Sequence, residues 1–215
     1  MTPPAAHEPS TATRQPLTIL IQGGIASGKS TVSRLLAERG AHVVDCDRVA
    51  HEQLAEPEVQ AALRAAFGDG VFDAGAVSRP ALGALVFSDP AALETLERIV
   101  HPRVAEVVRE VLTRWARPAS EPREVVVIDA AVADKMRLVE RYDLRLFVEV
   151  DRATRAARAA TRGWAPDELA KREANQDPLE VKRARADHVI SNEGDLDQAA
   201  QRVASFWSEH VEPRR

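Results

Sequence analysis

The sequence predicts an α/β fold built on a parallel β-sheet, and three observations carry that reading. Residues 23–30, Gly-Gly-Ile-Ala-Ser-Gly-Lys-Ser, fit G-x-x-x-x-G-K-[ST] and stand between an apolar run and a helix-patterned stretch. Short apolar runs alternate along the chain with helical segments, the pattern of strands joined by crossover helices. Two of these runs, 125–128 and 144–150, are rich in Val, Leu and Ile, as suits interior strands of a parallel sheet.

The first run, Leu17 to Ile21, reads as a buried strand entering the 23–30 loop, and Ser30 to Arg39 reads as a helix stopped by Gly40. Glycines at 23, 24 and 28 let consecutive backbone N–H groups turn inward, with no side chain in a phosphate's way. The helix behind the loop adds orphan N–H groups and the positive end of its dipole. Lys29 supplies a point charge between β- and γ-phosphates, and Ser30 a hydroxyl for Mg²⁺. This is the phosphate loop of the P-loop nucleotide-binding proteins. Gly23, Gly24, Ile25, Ala26, Ser27, Gly28, Lys29, Ser30 and the adjoining Thr31 are the expected contacts of a nucleoside triphosphate.

A second short strand is expected at Ala41 to Asp45. From Val49 to Trp115 the pattern is helical, with Pro57, Pro80 and Pro90 suited to first-turn positions and Gly68, Gly70 and Gly75 marking a turn-rich interruption. Asp89-Pro90 reads as an N-cap followed by proline at the first helical position, and Pro102 is expected to break or kink the helix that follows. The strand Val125 to Ile128 ends in Asp129, and another spans Leu144 to Val150. Residues 151–186 hold nine Lys/Arg against six Asp/Glu, a basic stretch in an acidic protein. Singly these arginines suit a solvated helix face, but together they suggest a lid, because phosphoryl transfer relies on cations placed around the moving group. A short strand at Val189-Ile190 and a helix from about Asp195 to His210 close the chain.

Composition bounds the function. The 215 residues are 45% hydrophobic and 29% charged, enough for one good-sized core, and the formal net charge of −4 argues against general nucleic-acid binding. The one cysteine, Cys46, allows no internal disulfide, which fits a reducing compartment. It lies between Asp45 and Asp47, whose charges disfavour a thiolate, and is expected to be a packing residue. No apolar run approaches membrane-spanning length, and residues 1–16 lack a hydrophobic signal segment. A disordered tail over 1–16, a cytoplasmic location and no membrane partner are the resulting expectations.

The acceptor of any transferred phosphoryl group is sought at the carboxyl ends of the strands, where open α/β sheets bind ligands. There Asp45 and Asp47 stand together, one able to take a hydroxyl's proton and the other to cap the following helix. Asp129, at the end of its own strand, is a candidate to support Mg²⁺ directly or through water. His101 stands beside a helix-breaking Pro102, a feature that often marks a site, but a lone histidine is more often structural and that is the reading the bare sequence favours.

As a set, these residues resemble the dephospho-CoA kinase family from roughly Leu17 to Phe206. In order come the Gly-Gly-Ile-x-Ser-Gly-Lys-Ser loop, Val44-Asp45-Cys46-Asp47 matching V-D-x-D, Phe67-Gly68, Arg79 to Phe87, and Ile99-Val100-His101-Pro102. Arg172, Gln176, Lys182-Arg183, Ala186-Asp187, Val189-Ile190, Asn192 and Gly194 then follow the pattern R-x-x-x-Q…K-R-x-x-A-D-x-V-I-x-N-x-G. The resemblance implies a three-layer P-loop kinase fold in one domain over 17–210. Its core would be 17–48, 120–150 and 187–210, with a helical acceptor-binding insertion at about 49–118 and a lid at about 151–186. It implies ATP and Mg²⁺ as cofactors and dephospho-CoA as the small-molecule acceptor, phosphorylated on its ribose 3′-hydroxyl, in a monomer or weak homo-oligomer.

The resemblance also implies that Asp47 is the base facing that hydroxyl, that Lys29 and Ser30 serve the phosphates and Mg²⁺, and that Arg162 reaches the transferred group. Arg172 joins the nucleotide contacts, Asn192 lies near the adenine, and Asp45, Arg79, His101 and Arg103 border the acceptor pocket. One stretch departs from the family's D-x-P-L-L-x-E: here it reads Asp129-Ala130-Ala131-Val132-Ala133-Asp134-Lys135, with a charge reversed at its end. The lid is also one residue short around Gly163-Trp164-Ala165-Pro166. A related kinase with another small-molecule acceptor, or a nucleotide-binding paralogue without catalysis, are the other readings.

Overall fold

The computed structural model describes residues 12–215 except 132, 137, 141, 166 and 175, with the side chains of 134 and 135 also outside the description. The chain runs β1 (Thr13–Arg14), β2 (Leu17–Gly23), α1 (Lys29–Ala37), β3 (His42–Asp45), α2 (Cys46–Gln53), α3 (Pro57–Phe67), β4 (Phe72–Asp73), β5 (Ala76–Val77), α4 (Arg79–Ser88) and α5 (Pro90–Arg114). It continues through β6 (Arg117–Pro118), β7 (Val125–Asp129), α6 (Ala133–Met136), β8 (Leu144–Glu149), α7 (Arg152–Thr161), α8 (Glu168–Glu173), α9 (Leu179–Ala184), β9 (His188–Ser191) and α10 (Leu196–Phe206). A π-helical turn, Trp207–Val211, follows α10.

Five strands form one parallel sheet in the order β3-β7-β2-β8-β9. The central strand β2 is buried at every position, as its apolar run requires. Alternation along the strands divides the core in two. Leu17, Ile19, Ile21, Val125, Val127 and Leu146 face α1 and α10, where Val32, Leu36, Val203, Phe206 and Trp207 meet them. Leu20, Val44, Val126 and Ile128 face the other side, against Val59 and Leu63 of α3 and Val104, Val108 and Leu112 of α5. Helices thus cover both faces, giving the three-layer α/β architecture. A smaller cluster, Val71, Leu82, Val86 and Ala92, holds the 72–92 part of the helical stretch together.

Local chemistry sets the helix ends. Asp45 caps α2 by accepting from Arg48 N, Asp89 caps α5 by accepting from Ala91 N with Pro90 behind it, and Asp151 caps α7 by accepting from Thr154 N. Pro102 does not end its helix, contrary to expectation: α5 runs its full 25 residues through it. The proline forfeits one backbone donor, but Val100, Val104, Ala105 and Val108 are buried around it, and that packing keeps the helix on course. The expected disordered tail is corrected at its inner end. Thr13–Arg14 pairs antiparallel with Arg117–Pro118, and Arg123 donates to the carbonyls of Gln15 at 3.0 Å and Pro16 at 3.1 Å. The rest of that expectation, residues 1–11, lies outside the described residues.

Asp143 ties β2 to the turn before β8. Its Oδ2 accepts from Thr18 N at 2.8 Å, Thr18 Oγ1 at 3.0 Å and Arg123 Nη2 at 2.8 Å. Burial alone would push this carboxyl up, but the Thr18 and Arg123 donors outweigh it and hold it below the ordinary aspartate range. Its stabilisation is therefore complete above that range and lost as pH falls through the lowered folded-state pKa. Asp143→Asn is expected to cost about 1–3 kcal/mol at pH 7. In urea unfolding followed by circular dichroism across pH, the gap from the parent should close at acid pH.

Candidate active site

The loop between β2 and α1 adopts a conformation that only its sequence and surroundings permit. Ala26 has φ 61° and Gly28 φ 82°, both left-handed, and the turn is closed by Ser27 N donating to Gly24 O at 3.0 Å. Gly23 is required by close approach, since a Cβ there would lie 2.7 Å from both Ser27 Oγ and the Val148 carbonyl. With its N–H groups available to a ligand, the loop's outward carbonyls need donors. Asn192 Nδ2 donates to Ser27 O at 2.8 Å, Arg158 Nη1 to Ser27 O at 3.1 Å, and Arg155 Nη1 to Ile25 O at 3.4 Å. Arg158 Nη2 also donates to Asn192 O at 2.8 Å, so the two side chains brace one another. The Ser27 hydroxyl is 1% exposed and, among the described residues, has no hydrogen-bond partner, as fits a group awaiting a polar ligand.

Parallel pairing places the acidic residues beside the loop. Asp45 and Asp129 are register partners at the carboxyl ends of β3 and β7. Asp129 accepts from Ser33 Oγ at 3.1 Å; burial pushes its carboxyl up, partly countered by the nearby Lys29 charge and the Ser33 hydroxyl. Ser30 is exposed in the first turn of α1 and Thr31 N donates to Gly28 O at 3.0 Å. Ser30 and Asp129 offer only hydroxyl and carboxylate oxygens, a donor set that suits a hard cation completing its shell with water and phosphate.

Next to this edge lies a cleft of about 870 Å³ whose lining includes Asp47, His51, Arg79, His101, Met136 and Arg172. Its floor carries Asp47 in the first turn of α2, and its wall carries Leu54, Leu82, Val86, Leu93 and Leu96. The two aspartates thus divide their roles, with Asp45 capping the helix and Asp47 facing the cleft. Arg79, at the start of α4, has Nη2 3.2 Å from His51 Nε2.

Three expected site residues stand elsewhere. Arg103 is two positions past His101 on α5, about 200° around the helix. It pairs with Glu106 at 3.1 Å and with Glu58, and it lines a separate cleft against α3. Arg172 lies on the wall of the cleft of about 870 Å³ rather than at the phosphate loop, its guanidinium 4.4 Å from the Trp164 ring centroid and 5.3 Å from that of Phe87. Arg162 stands exposed just past the end of α7, and among the described residues no hydrogen bond joins it to the loop. The helix presents Arg155 and Arg158 to the loop instead, one turn apart.

Those two arginines were not singled out by sequence reasoning, although their three-residue spacing within the basic stretch was a usable signal. Lys182 was also missed as a structural group. It is 2% exposed, and its Nζ donates to Ala131 O at 3.0 Å and Gln176 Oε1 at 2.9 Å. His51 and Phe87 carried no signal that would have set them apart.

A phosphate loop between a central strand and its helix, beside acidic strand ends and a cleft with a carboxylate on its floor, defines a P-loop kinase. A family model described as dephospho-CoA kinase matches residues 17–198. The dephospho-CoA kinase of Leifsonia xyli subsp. xyli is 40% identical over 193 residues, covering 87% of this chain and 96% of that protein. The solved structure of TT1252 from Thermus thermophilus is 33% identical and superposes with a TM-score of 0.76, covering 92% of this chain and 100% of that one. The Campylobacter jejuni dephospho-CoA kinase structure, 16% identical with a TM-score of 0.55, covers 89% of this chain and 96% of that one and shares the fold. This chain belongs to the dephospho-CoA kinase family.

Cys46 lines the cleft yet is only 1% exposed, and burial together with the charges of Asp47, Asp129 and Asp45 pushes its thiol up to about 12. At pH 8 roughly one thiol in ten thousand is then ionised, against about one in four for a free cysteine. The folded protein should therefore resist Ellman's reagent at pH 8 over hours and react with one equivalent on denaturation; rapid labelling of the folded protein would contradict this burial.

Proposed function

We propose that this chain transfers the γ-phosphoryl group of ATP to the 3′-hydroxyl of dephospho-CoA, giving coenzyme A. The observation that carries this reading is family membership across 17–198 in a chain whose cleft presents Asp47 beside the phosphate loop. No described helix is long and apolar enough to cross a membrane. We read the chain as one kinase domain acting in the cytoplasm as a monomer or weak homo-oligomer, with the 49–118 helices forming the acceptor side and 151–186 a lid.

In this reading the loop N–H groups and Lys29 hold the β- and γ-phosphates, and Arg158 and Asn192 keep the loop's carbonyls turned away from them. Asp47 accepts the proton of the 3′-hydroxyl as the oxygen attacks phosphorus. Arg79 offers donors and positive charge for the acceptor's diphosphate, His51 and His101 offer ring nitrogens, and the aliphatic wall from Leu54 to Leu96 takes its pantetheine arm. Ser30 and Asp129 would hold Mg²⁺, which when bound neutralises charge on the β- and γ-oxygens. Arg162 would approach the transferred group only once the lid closes.

The altered 129–135 stretch is compatible with this acceptor. Ala130 and Ala133 are each 1% exposed and belong to the core below the cleft, and the Ala131 contact to Lys182 is made through its backbone carbonyl. The side chain of Lys135 lies outside the described residues.

ADP formation at saturating MgATP should depend on dephospho-CoA and give a product phosphorylated at the ribose 3′ position by ³¹P NMR. Turnover with other nucleosides or pantetheine derivatives but not with dephospho-CoA would assign a different acceptor. Asp47→Asn is expected to lower kcat by about 10²–10⁴-fold while leaving the ATP dissociation constant within about twofold. Gly28→Ala should abolish nucleotide binding in a fluorescent-ATP titration, because Gly28 has φ 82° and an added Cβ would overlap Asn192 Nδ2.

A further inference from the structure

Helix α8 touches both proposed substrate sites through consecutive residues. Arg172 reaches the acceptor cleft, where its guanidinium lies over Phe87 of α4 at 5.3 Å and over Trp164 at 4.4 Å. Glu173 instead pairs with Arg155 of α7, and the same Arg155 nitrogen, Nη1, donates to Ile25 O in the phosphate loop at 3.4 Å. Arg155 is 4% exposed and lies against Gly24, where an added Cβ would come within 2.9 Å of Nη1. A guanidinium buried this deeply is tolerated only when paired, so Glu173 must follow Arg155 wherever the loop sets it. At the other end, Phe87 lines the cleft and is 61% exposed, so an entering acceptor meets the Phe87–Arg172 contact directly.

We propose that Glu173 is a positioning residue through which α8 couples the two sites. Nucleotide seated in the loop fixes Ile25 against Arg155; the Arg155–Glu173 pair then fixes α8, and α8 sets Arg172 over Phe87 for the acceptor. Each ligand tightens the other by the same factor, as linkage requires. The coupling rests on the function proposed above, because it needs an acceptor that occupies this cleft.

Calorimetric titration of dephospho-CoA into the full chain, with Mg²⁺ and with or without a saturating non-hydrolysable ATP analogue, measures the coupling as a ratio of dissociation constants. The parent protein should show a ratio in the range of about 5 to 150. Glu173→Gln should bring the ratio to about one, whatever its effect on the affinity for each ligand alone. Phe87→Leu, at an exposed position that does not threaten folding, should also bring the ratio to about one, and the double variant should do no more. A parent ratio of one, or a parent-like ratio in both variants even with weakened affinities, overturns the coupling. Absence of any dephospho-CoA binding overturns the proposed function and the coupling with it, a result distinct from binding without coupling.

Discussion

The phosphate loop depends on a strained backbone that the remainder of the chain has to hold. Ala26 at φ 61° is a left-handed alanine, a conformation costing of order 1–3 kcal/mol, and it persists only where the surroundings over-determine it. Those surroundings are Arg155, Arg158 and Asn192, which bond the loop's carbonyls from 130 to 165 residues away in sequence. Asn192 follows β9 and both arginines follow β8, so they arrive only when β2, β8 and β9 have paired in order. The nucleotide site is therefore not a local property of residues 23–30. It is completed by the carboxyl-terminal third of the chain.

A second constraint is charge. Asp45, Asp47 and Asp129 crowd the strand ends around a buried thiol; burial is the main cause of the upward push on both Cys46 and Asp129, and the neighbouring carboxylate charges add to it. Lys29 opposes it, pulling Asp129 down. Carboxylates that outnumber the nearby ammonium favour a cation at these strand ends. Capping gives Asp45 the Arg48 amide, while Asp47 remains exposed to the cleft, so position within one helical turn separates a capping carboxylate from one open to a ligand.

Much of this was legible in sequence because it is local. The strand–loop–helix around Gly23 to Ser30, the caps at Asp89 and Asp45, and the inert Cys46 follow from residue type and spacing. What was not legible depends on facing. Arg103 and His101 are both near the same proline, but helical geometry turns Arg103 toward Glu58 and Glu106. Pro102 reads as a break until the buried valines on either side are known. In the basic stretch, composition signalled a role without saying which arginines face inward. Arg162 draws attention in the sequence, whereas the partners of the loop are the buried Arg155 and the half-buried Arg158. The pairing of residues 13–14 with 117–118 spans too long a separation for any sequence pattern to indicate.

The departure that begins at Ala131 lies in a segment anchored by its neighbours. Ala130 and Ala133 are buried in one cluster with Tyr142, Met136 and Leu138. The segment's backbone is tethered independently of its side chains, because the buried Lys182 donates to the carbonyl of Ala131. An ammonium held by a carbonyl and by Gln176 Oε1 is indifferent to the side chain of residue 131. Substitution there is consequently tolerated as long as Lys182 and Gln176 persist. A change at Lys182 would take its donor from the Ala131 carbonyl and loosen the segment that carries Met136 into the cleft.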